Sequence, residues 1–237
     1  MKLHLKLVCL LLTGLASALN MQAQAANCTD VGDERYHQLL METQDARVFL
    51  LELPRLASTQ AHCHAHPYFY IVTGDGWSSS TPEGGATISH QWHGAEARFI
   101  YNPVKHVVRN EGINMYREVI VESKHRIQYN AWEGNYDTDL LVGDLNATKP
   151  TWQISATRGA LTATKVQLAP GTSFSMGSPN HVLIAMSDLS LKNKREGMPT
   201  TESIELNQQD VHVFRGGQSA ELTNAGARAA RFIVVEF

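Results

Sequence analysis

The stretch "NEGINMYREVIVE", residues 110–122, decides the fold class because the chain carries a second version of it. The second version is "NAGARAARFIVVE", residues 224–236, and both fit the pattern N-x-G-x4-R-x4-E. Farther upstream, "FYIVTGD" (69–75) similarly matches "VLIAMSD" (182–188). Repetition at matching spacing indicates that the chain contains two tandem copies of one structural unit.

Short apolar runs bounded by turn residues recur in both halves of the chain, and helical periodicity is scarce. In the first half, Pro103, Gly112 and the "TPEGG" segment (81–85) separate the runs. This spacing is typical of an antiparallel sandwich or barrel. We therefore predict an all-β fold with two tandem barrels. The apolar runs are 46–54, 68–72, 85–92, 97–101, 106–110 and 115–122, followed by 163–170, 181–191, 210–214, 220–224 and 230–237.

The repeat divides the chain into four predicted segments. Residues 1–25 form a signal peptide, 26–125 an N-terminal barrel, 126–157 a linker and 158–237 a C-terminal barrel. The linker falls in a polar stretch that contains "EGNYD" and "NATKP".

The first segment has the features of an export signal. Lys2 and Lys6 precede the apolar run 7–19, and "AQA" (23–25) offers the small residues that a signal peptidase accepts. The apolar run is shorter than the roughly 20 residues of a membrane helix. We therefore expect a periplasmic or secreted protein without membrane contact after signal removal. An uncleaved anchor is the alternative.

Removal of the signal would leave two cysteines, Cys28 and Cys63. In an oxidising compartment the two cysteines could pair and tie the N-terminal arm to the segment around Cys63. Two free thiols are an equal alternative, because sequence spacing does not report distance.

The composition narrows the partner classes. Hydrophobic residues make up 43% of the chain and charged residues 18%, which suits a folded protein, and the formal net charge is −3. A net negative charge does not indicate the basic surface that nucleic-acid binding needs. We also find no G-x-S-x-G elbow, phosphate-binding loop or dinucleotide glycine fingerprint, which argues against hydrolase, nucleotide-binding and dinucleotide-binding functions.

The segment "HCHAHPYFY" places His62, His64 and His66 at alternate positions. On a β-strand these three side chains would share one face. Two imidazoles at positions i and i+2 are well placed to hold one metal ion, and neutral imidazole suits several transition metals. A further ligand must come from elsewhere, and His106, at the start of an apolar run, is the natural candidate.

These residues resemble the cupin superfamily, whose motifs are G-x5-H-x-H-x3–4-E-x6-G and G-x5-P-x-G-x2-H-x3-N. His62-x-His64-x4-Phe69-x6-Gly76 fits the spacing of the first motif, and His106-x3-Asn110 fits the end of the second. The resemblance spans roughly residues 45–122 and, more weakly, 160–237. It implies a secreted bicupin with two jelly-roll (double-stranded β-helix) barrels, each with an internal pocket.

The chain departs from the family pattern at several positions. Phe69 stands where the motif spacing puts the glutamate ligand, Lys105 directly precedes His106 in a compressed second motif, and the first glycine of the first motif is missing. We therefore predict a three-histidine site for a divalent transition metal, with iron, manganese, zinc and nickel not distinguished. The ligand pair is either His62 with His64 or His64 with His66, completed by His106.

The second copy lacks these ligands. Aligning the copies places Ser175, Gly177, Pro179 and Ala220 opposite His62, His64, His66 and His106. We therefore expect the C-terminal barrel to serve as a scaffold, a homodimer surface or a metal-free pocket. His181 is expected to pack or lie at the surface, as are His90 and His93, and the repeated Arg117, Glu122, Arg231 and Glu236 are expected to serve the fold.

The leading functional hypothesis is a metal-dependent enzyme acting on a small molecule, with dioxygenase chemistry ahead of isomerase or lyase chemistry. The catalytic groups are not identified; Tyr68, Tyr70 and Glu122 are candidates. The alternative is a non-catalytic periplasmic module that binds a sugar, another small molecule or a metal ion. A purely structural role for the barrels is a third hypothesis. Enzymatic activity itself is left open.

Overall fold

The computed structural model describes residues 28–94, 96–125, 136–137 and 151–237. The predicted signal peptide and most of the predicted linker lie outside these residues. A single short 3-10 helix, Val31–Asp33, accompanies the strands in the described part. The strands are β1 (Thr29–Asp30), β2 (His37–Glu42), β3 (Ala46–Leu53), β4 (His62–His64), β5 (Tyr68–Val72), β6 (Gly76–Pro82), β7 (Ile88–Trp92), β8 (Glu96–Ile100), β9 (Val104–Asn110), β10 (Tyr116–Ser123), β11 (Tyr136–Asp137), β12 (Trp152–Arg158), β13 (Leu161–Leu168), β14 (Ser173–Met176), β15 (His181–Ala185), β16 (Leu189–Arg195), β17 (Thr201–Leu206), β18 (Val211–Phe214), β19 (Ala220–Asn224) and β20 (Ala230–Glu236).

The strands form four sheets, two in each half of the chain. The N-terminal half contains the sheets β1-β4-β9-β6-β7 and β11-β8-β5-β10-β3-β2, and the C-terminal half contains β12-β13-β20-β15-β18 and β14-β19-β16-β17. The short β1 pairs with β4 in parallel, and the other strand pairs are antiparallel. β12 pairs along its length with β13, so this strand belongs to the second barrel although all but its last residue lies within the predicted linker.

The repeated asparagines stabilise the same turn in both barrels. Asn110 Nδ2 donates to the carbonyl of Leu53 at 2.9 Å, and its Oδ1 accepts the Gly112 N–H at 2.9 Å. Asn224 makes the equivalent bonds to Leu168 and Gly226, also at 2.9 Å. The sequence repeat therefore encodes a turn that leads into β10 and β20.

The glycine of each repeat is explained by the same turn. A Cβ on Gly112 or on Gly226 would lie 3.3 Å from the Oδ1 of the preceding repeat asparagine. The repeated arginines bridge to the neighbouring strand, Arg117 Nε to Glu52 and Arg231 Nε to Gln167, both at 2.9 Å.

Successive side chains of β5 and β10 point to opposite faces of their sheet and belong to two different hydrophobic cores. Phe69 and Ile71 of β5 and Val119 of β10 lie in a cluster shared by both barrels, which also includes Ile184 and Ile233 of the second barrel. The opposite faces of the same strands contribute to the interior of the first barrel. The second barrel has its own interior cluster. Burial of large apolar side chains on both sides of one sheet accounts for the near-continuous hydrophobic runs in these strands.

The two cysteines are bonded. Cys28 and Cys63 form a disulfide that joins the residue before β1 to the middle residue of β4. Among the residues that the structure describes, no helix has the length and apolar character needed to cross a membrane.

Candidate metal centre

The short strand β4 presents two histidines to the interior of the first barrel. His62 and His64 are both buried, and Cys63 between them belongs to the disulfide on the other face. β4 pairs with β9 so that His62 lies directly opposite His106. The pleat of the strand and this register bring three of the predicted ligands into one region.

A fourth histidine joins them from β2. His37 is buried and lies opposite Leu51 of β3, which is part of the barrel interior. Ligand nitrogens of His37, His62 and His64 all lie within 4.8 Å of one another. The Nε2 atoms of His62 and His106 are 3.1 Å apart. The structure therefore assembles four imidazoles from three strands, and sequence reasoning missed His37.

All four rings are held through Nδ1. The partner is a carboxylate oxygen for His37 and His64, a backbone carbonyl for His62 and a hydroxyl for His106. The contacts are His37 to Glu34 Oε2 at 2.8 Å, His64 to Glu122 Oε1 at 2.8 Å, His62 to Gln60 O at 3.0 Å and His106 to Ser80 Oγ at 3.0 Å. A ring that donates from Nδ1 keeps the lone pair on Nε2 for a metal.

The carboxylates behind two of the rings are themselves fixed. Glu122 is fully buried, and its Oε2 accepts from Arg47 Nη2 at 2.6 Å. Arg47 also binds Asp30 at 2.8 Å. Burial raises the pKa of Glu122, and the charge of Arg47 opposes that rise. At Glu34 burial works in the same direction, but hydrogen bonds donated by Tyr36 N and His37 hold its pKa below the ordinary value.

The environment keeps the imidazoles neutral. Burial lowers the pKa of His37 to about 4, with a further contribution from the neighbouring His62. Burial also lowers the pKa of His62, and places those of His64 and His106 well below their usual range, where adjacent imidazoles add to the effect. Neutral imidazole is the form that binds a metal ion.

His66 is separate from this cluster. β4 ends at His64, and His66 lies at a bend before β5. It does not belong to the group of mutually close ligand atoms. Of the two pairs predicted from the sequence, His62 with His64 is the pair that faces the other imidazoles.

Phe69 does not lie at the site, although the motif spacing aligns it with the glutamate ligand of the family. The Phe69 ring packs on Phe99, with centroids 4.8 Å apart, in the core between the barrels. Its neighbour Tyr68 points to the site and stacks on His64 at 4.3 Å. Residues 65–67 lie outside the strands, so the alternation of side chains in β4 does not continue into β5. As a result, Tyr68 and not Phe69 faces the histidines.

The second barrel has no equivalent cluster in the part of the chain that the structure describes. Met176 pairs with Ala220 as His62 pairs with His106, so Met176 and not Ser175 occupies the place of His62. His181 lies opposite Glu236, as Tyr68 lies opposite Glu122. Its Nε2 is 3.1 Å from Glu236 Oε2.

A cavity of about 200 Å³ adjoins the cluster at His106. Glu118 lines this cavity and accepts a 2.7 Å hydrogen bond from the hydroxyl of Tyr116. Burial raises the pKa of Glu118 to about 7, against the smaller effect of the Tyr116 hydrogen bond. The cavity is lined by Tyr68, Tyr70, Ser78, Ser80, Pro82, Ile88, His90, Trp92, Arg98, Ile100, Val104, His106, Val108, Tyr116 and Glu118.

The structure also locates the other side chains that the sequence analysis considered. Tyr68 and Tyr70 line the cavity, as their candidacy for a catalytic role requires, whereas Glu122 contacts His64 from behind. His90 was expected at the surface but is half-buried, and it lines the cavity beside Arg98. His93 is exposed.

Solved structures with the same architecture identify the fold. AerE from Microcystis aeruginosa gives a TM-score of 0.60 at 10% identity, over 86% of this chain and 97% of its own. Oxalate decarboxylase from Bacillus subtilis, an enzyme with Mn(II) centres, gives 0.58 at 8% identity, over 82% and 69%. A variant of salicylate 1,2-dioxygenase from Pseudoaminobacter salicylatoxidans gives 0.55 at 10% identity, over 81% and 71%.

The likeness lies in the structure. No protein-family model matches the chain, and no curated protein matches it in sequence. The prediction of an all-β chain with tandem cupin jelly-roll barrels is confirmed by the structure and its neighbours. The buried imidazoles of the first barrel have the donor set of a divalent transition-metal site.

Proposed function

We propose that this bicupin binds one divalent transition-metal ion through His37, His62, His64 and His106, and acts on a small molecule in the adjacent cavity. The observation that carries the proposal is the shared orientation of the four rings. Each is held at Nδ1 by a protein group, and the Nε2 atoms of His62 and His106 approach to 3.1 Å. Buried neutral imidazoles that lie this close together and are each oriented from behind suit a metal ion better than a solvated polar cluster.

Four neutral imidazoles supply no negative charge to the ion. The carboxylates of Glu34 and Glu122 contact Nδ1 of His37 and of His64, so they orient the rings and would not themselves bind the ion. A bound divalent ion would supply Lewis acidity and, as iron or manganese, access to redox chemistry. An ion that retains its full charge favours an anionic or electron-rich ligand in the cavity.

The residues of the cavity wall supply the remaining functions. Glu118 has a pKa of about 7, so its carboxyl exists in both protonation states near neutral pH and is suited to accept or donate a proton. Tyr116 holds this carboxyl through its hydroxyl. Burial raises the pKa of Tyr68 well above 10, so its phenol stays neutral beside His64. The wall also contributes apolar side chains, among them Ile100 and Val108.

Oxidoreductase chemistry of the dioxygenase type is the reaction we favour. Oxalate decarboxylase and salicylate 1,2-dioxygenase, by their names, act on small carboxylates. Their likeness to this chain supports a small organic substrate. The combination of a metal-capable cluster, an adjoining cavity and a titratable carboxyl favours an enzyme over a scaffold.

The second candidate is a binding module without chemistry. It is favoured by the number of imidazoles, because four protein ligands complete a tetrahedral zinc site, whereas catalytic zinc sites keep a position open. Oxygen consumption by the iron-loaded protein in the presence of small carboxylic acids separates the candidates. Turnover that is lost with the metal supports the enzyme. Tight zinc binding without turnover by any metal form supports the module.

The proposal is tested by metal analysis of the purified mature chain. We expect about one ion per chain after reconstitution, and X-ray absorption dominated by imidazole nitrogen. His181→Ala is the matched control, since His181 lies in the second barrel outside the cluster. A protein that takes up no iron, manganese, zinc or nickel would contradict the site.

We further infer that the protein is exported to the periplasm or secreted. The inference is supported by the lysine-flanked apolar segment at the N-terminus and by the Cys28–Cys63 disulfide, because such bonds persist in oxidising compartments. Cell fractionation with mass determination of the mature chain tests it. Recovery of the uncleaved chain from the cytoplasm would contradict it.

A further inference from the structure

The cavity beside the metal cluster contains a cationic side chain with an unused donor. Arg98 lies on β8 opposite Tyr70 of β5, on the face of the sheet that looks into the barrel. Its Nε is buried and has no hydrogen-bond partner in the described structure. Leaving a guanidinium N–H buried and unpaired costs free energy, which a bound acceptor would recover.

A terminal nitrogen of the same guanidinium already has protein partners. Arg98 Nη2 lies 2.8 Å from Nε2 of His90 and 3.8 Å from Oε2 of Glu96. Its central carbon lies 4.5 Å from the centroid of the Trp92 ring, which holds the plane of the group in place. Glu96 therefore offsets part of the charge of Arg98 near Nη2, and Nε has no acceptor in the described structure.

The rest of the wall defines the kind of ligand. Glu118 is the only carboxyl among the lining residues, and burial raises its pKa to about 7, so it offsets little of the positive charge below neutral pH. Trp92, Ile100 and Val108 give the wall an apolar and aromatic surface. An anionic head group and an apolar body match this combination, because a guanidinium makes charge-assisted hydrogen bonds to a carboxylate.

We infer that the cavity takes a small carboxylic acid with an apolar body, whose carboxylate is bound by the guanidinium of Arg98. The inference rests on the proposed function, because it names the ligand class for the same cavity. It adds that recognition depends on a cation in the wall and not on the metal alone. Arg98 is thereby a specificity-determining residue.

Equilibrium titration of the metal-loaded protein with benzoate and with benzamide tests this inference. Tryptophan fluorescence or calorimetry measures the binding. The two probes have nearly the same shape and differ in charge. We expect the wild type to prefer benzoate, and Arg98→Gln to weaken benzoate binding at least about tenfold while leaving benzamide binding unchanged. Arg98→Lys should restore part of the affinity, since it keeps the charge but loses the planar donor pair.

The control is Arg109→Gln, which removes an arginine paired with Glu111 at the surface and should leave both affinities unchanged. Unchanged benzamide binding and melting temperature show that the Arg98→Gln cavity is intact. Equal affinity of the wild type for both probes, no binding of benzoate, or full benzoate affinity in Arg98→Gln would each overturn the inference.

The same titration on metal-free protein separates this inference from the metal proposal. A protein that binds metal but shows no Arg98-dependent preference for benzoate refutes the acid site and leaves the metal site standing. A protein that takes up no metal but still prefers benzoate through Arg98 refutes the metal site and supports the acid site.

Discussion

Glu122 Oε1 lies 2.8 Å from Nδ1 of His64, and this bond links a residue of the sequence repeat to the metal cluster. The second copy of the repeat has Glu236 at the equivalent position, where it faces His181 instead. One repeated glutamate therefore orients a candidate ligand, and the other lies in a barrel without the cluster.

Glu122→Gln is predicted to weaken metal binding by roughly 10–100-fold, the usual effect of losing an outer partner of a metal-bound histidine. The amide retains a hydrogen-bond acceptor but loses the charge that orients the ring. Competition titration with a chromophoric chelator measures the change. Glu236→Gln is the matched control, and an equal effect of the two substitutions would show that Glu122 acts only through the fold.

His37→Ala is predicted to reduce metal affinity as strongly as His62→Ala, because both rings place ligand nitrogens in the same cluster. His66→Ala should leave metal content near the wild-type level, since His66 lies beyond β4. Elemental analysis of the three variants after identical reconstitution measures this ranking. Greater metal loss from His66→Ala than from His37→Ala would contradict the assignment of the ligands.

Three of the four clustered histidines could be predicted from the sequence. Alternation put His62 and His64 on one face, the second motif supplied His106, and the register between β4 and β9 places His106 opposite His62. His37 carries no local signal, because its inward position depends on the pairing of β2 with β3. Phe69 was placed at the site because the motif spacing alone does not fix the phase of β5.

The fold itself was predictable from the repeat because its conserved spacing encodes local interactions. Asn110 and Asn224 form the same side-chain bonds in both turns, and the tight contact that a Cβ would make with the asparagine favours the glycine two residues later. The packing of the two barrels was not predictable in this way. It depends on which face of β5 and β10 contacts the other barrel, and both faces of these strands contribute large apolar side chains to a core.

Removal of the disulfide by the double substitution Cys28→Ser and Cys63→Ser is predicted to lower the free energy of unfolding by roughly 2–4 kcal/mol. The bond closes a loop with a sequence separation of 35 and tethers β4, which carries His62 and His64. Denaturant titration measures the change. Reductant should lower the stability of the wild type toward that of the variant and leave the variant unchanged; a wild type insensitive to reductant would contradict the prediction.

Glu118→Gln is predicted to stabilise the protein at alkaline pH. Burial raises the pKa of Glu118 from 4.5 to about 7, so the folded state holds this proton more tightly than the unfolded state does. Between these values the folded state binds more protons, and the free energy of unfolding therefore falls as the pH rises. The loss of stability caused by ionising the buried Glu118 carboxyl is absent below about pH 4.5 and complete above about pH 7.

The glutamine has no such penalty, so the variant should gain stability relative to the wild type at pH 8 by at most about 3 kcal/mol, and much less at pH 5. Denaturant titrations at the two pH values measure the difference. If Glu118 also transfers the proton in the proposed reaction, the stabilised variant should lose roughly 100-fold in turnover while retaining its metal. An equal stability change at both pH values would show that the Glu118 carboxyl titrates normally in the folded protein, and retained turnover would exclude it as the proton-transfer group.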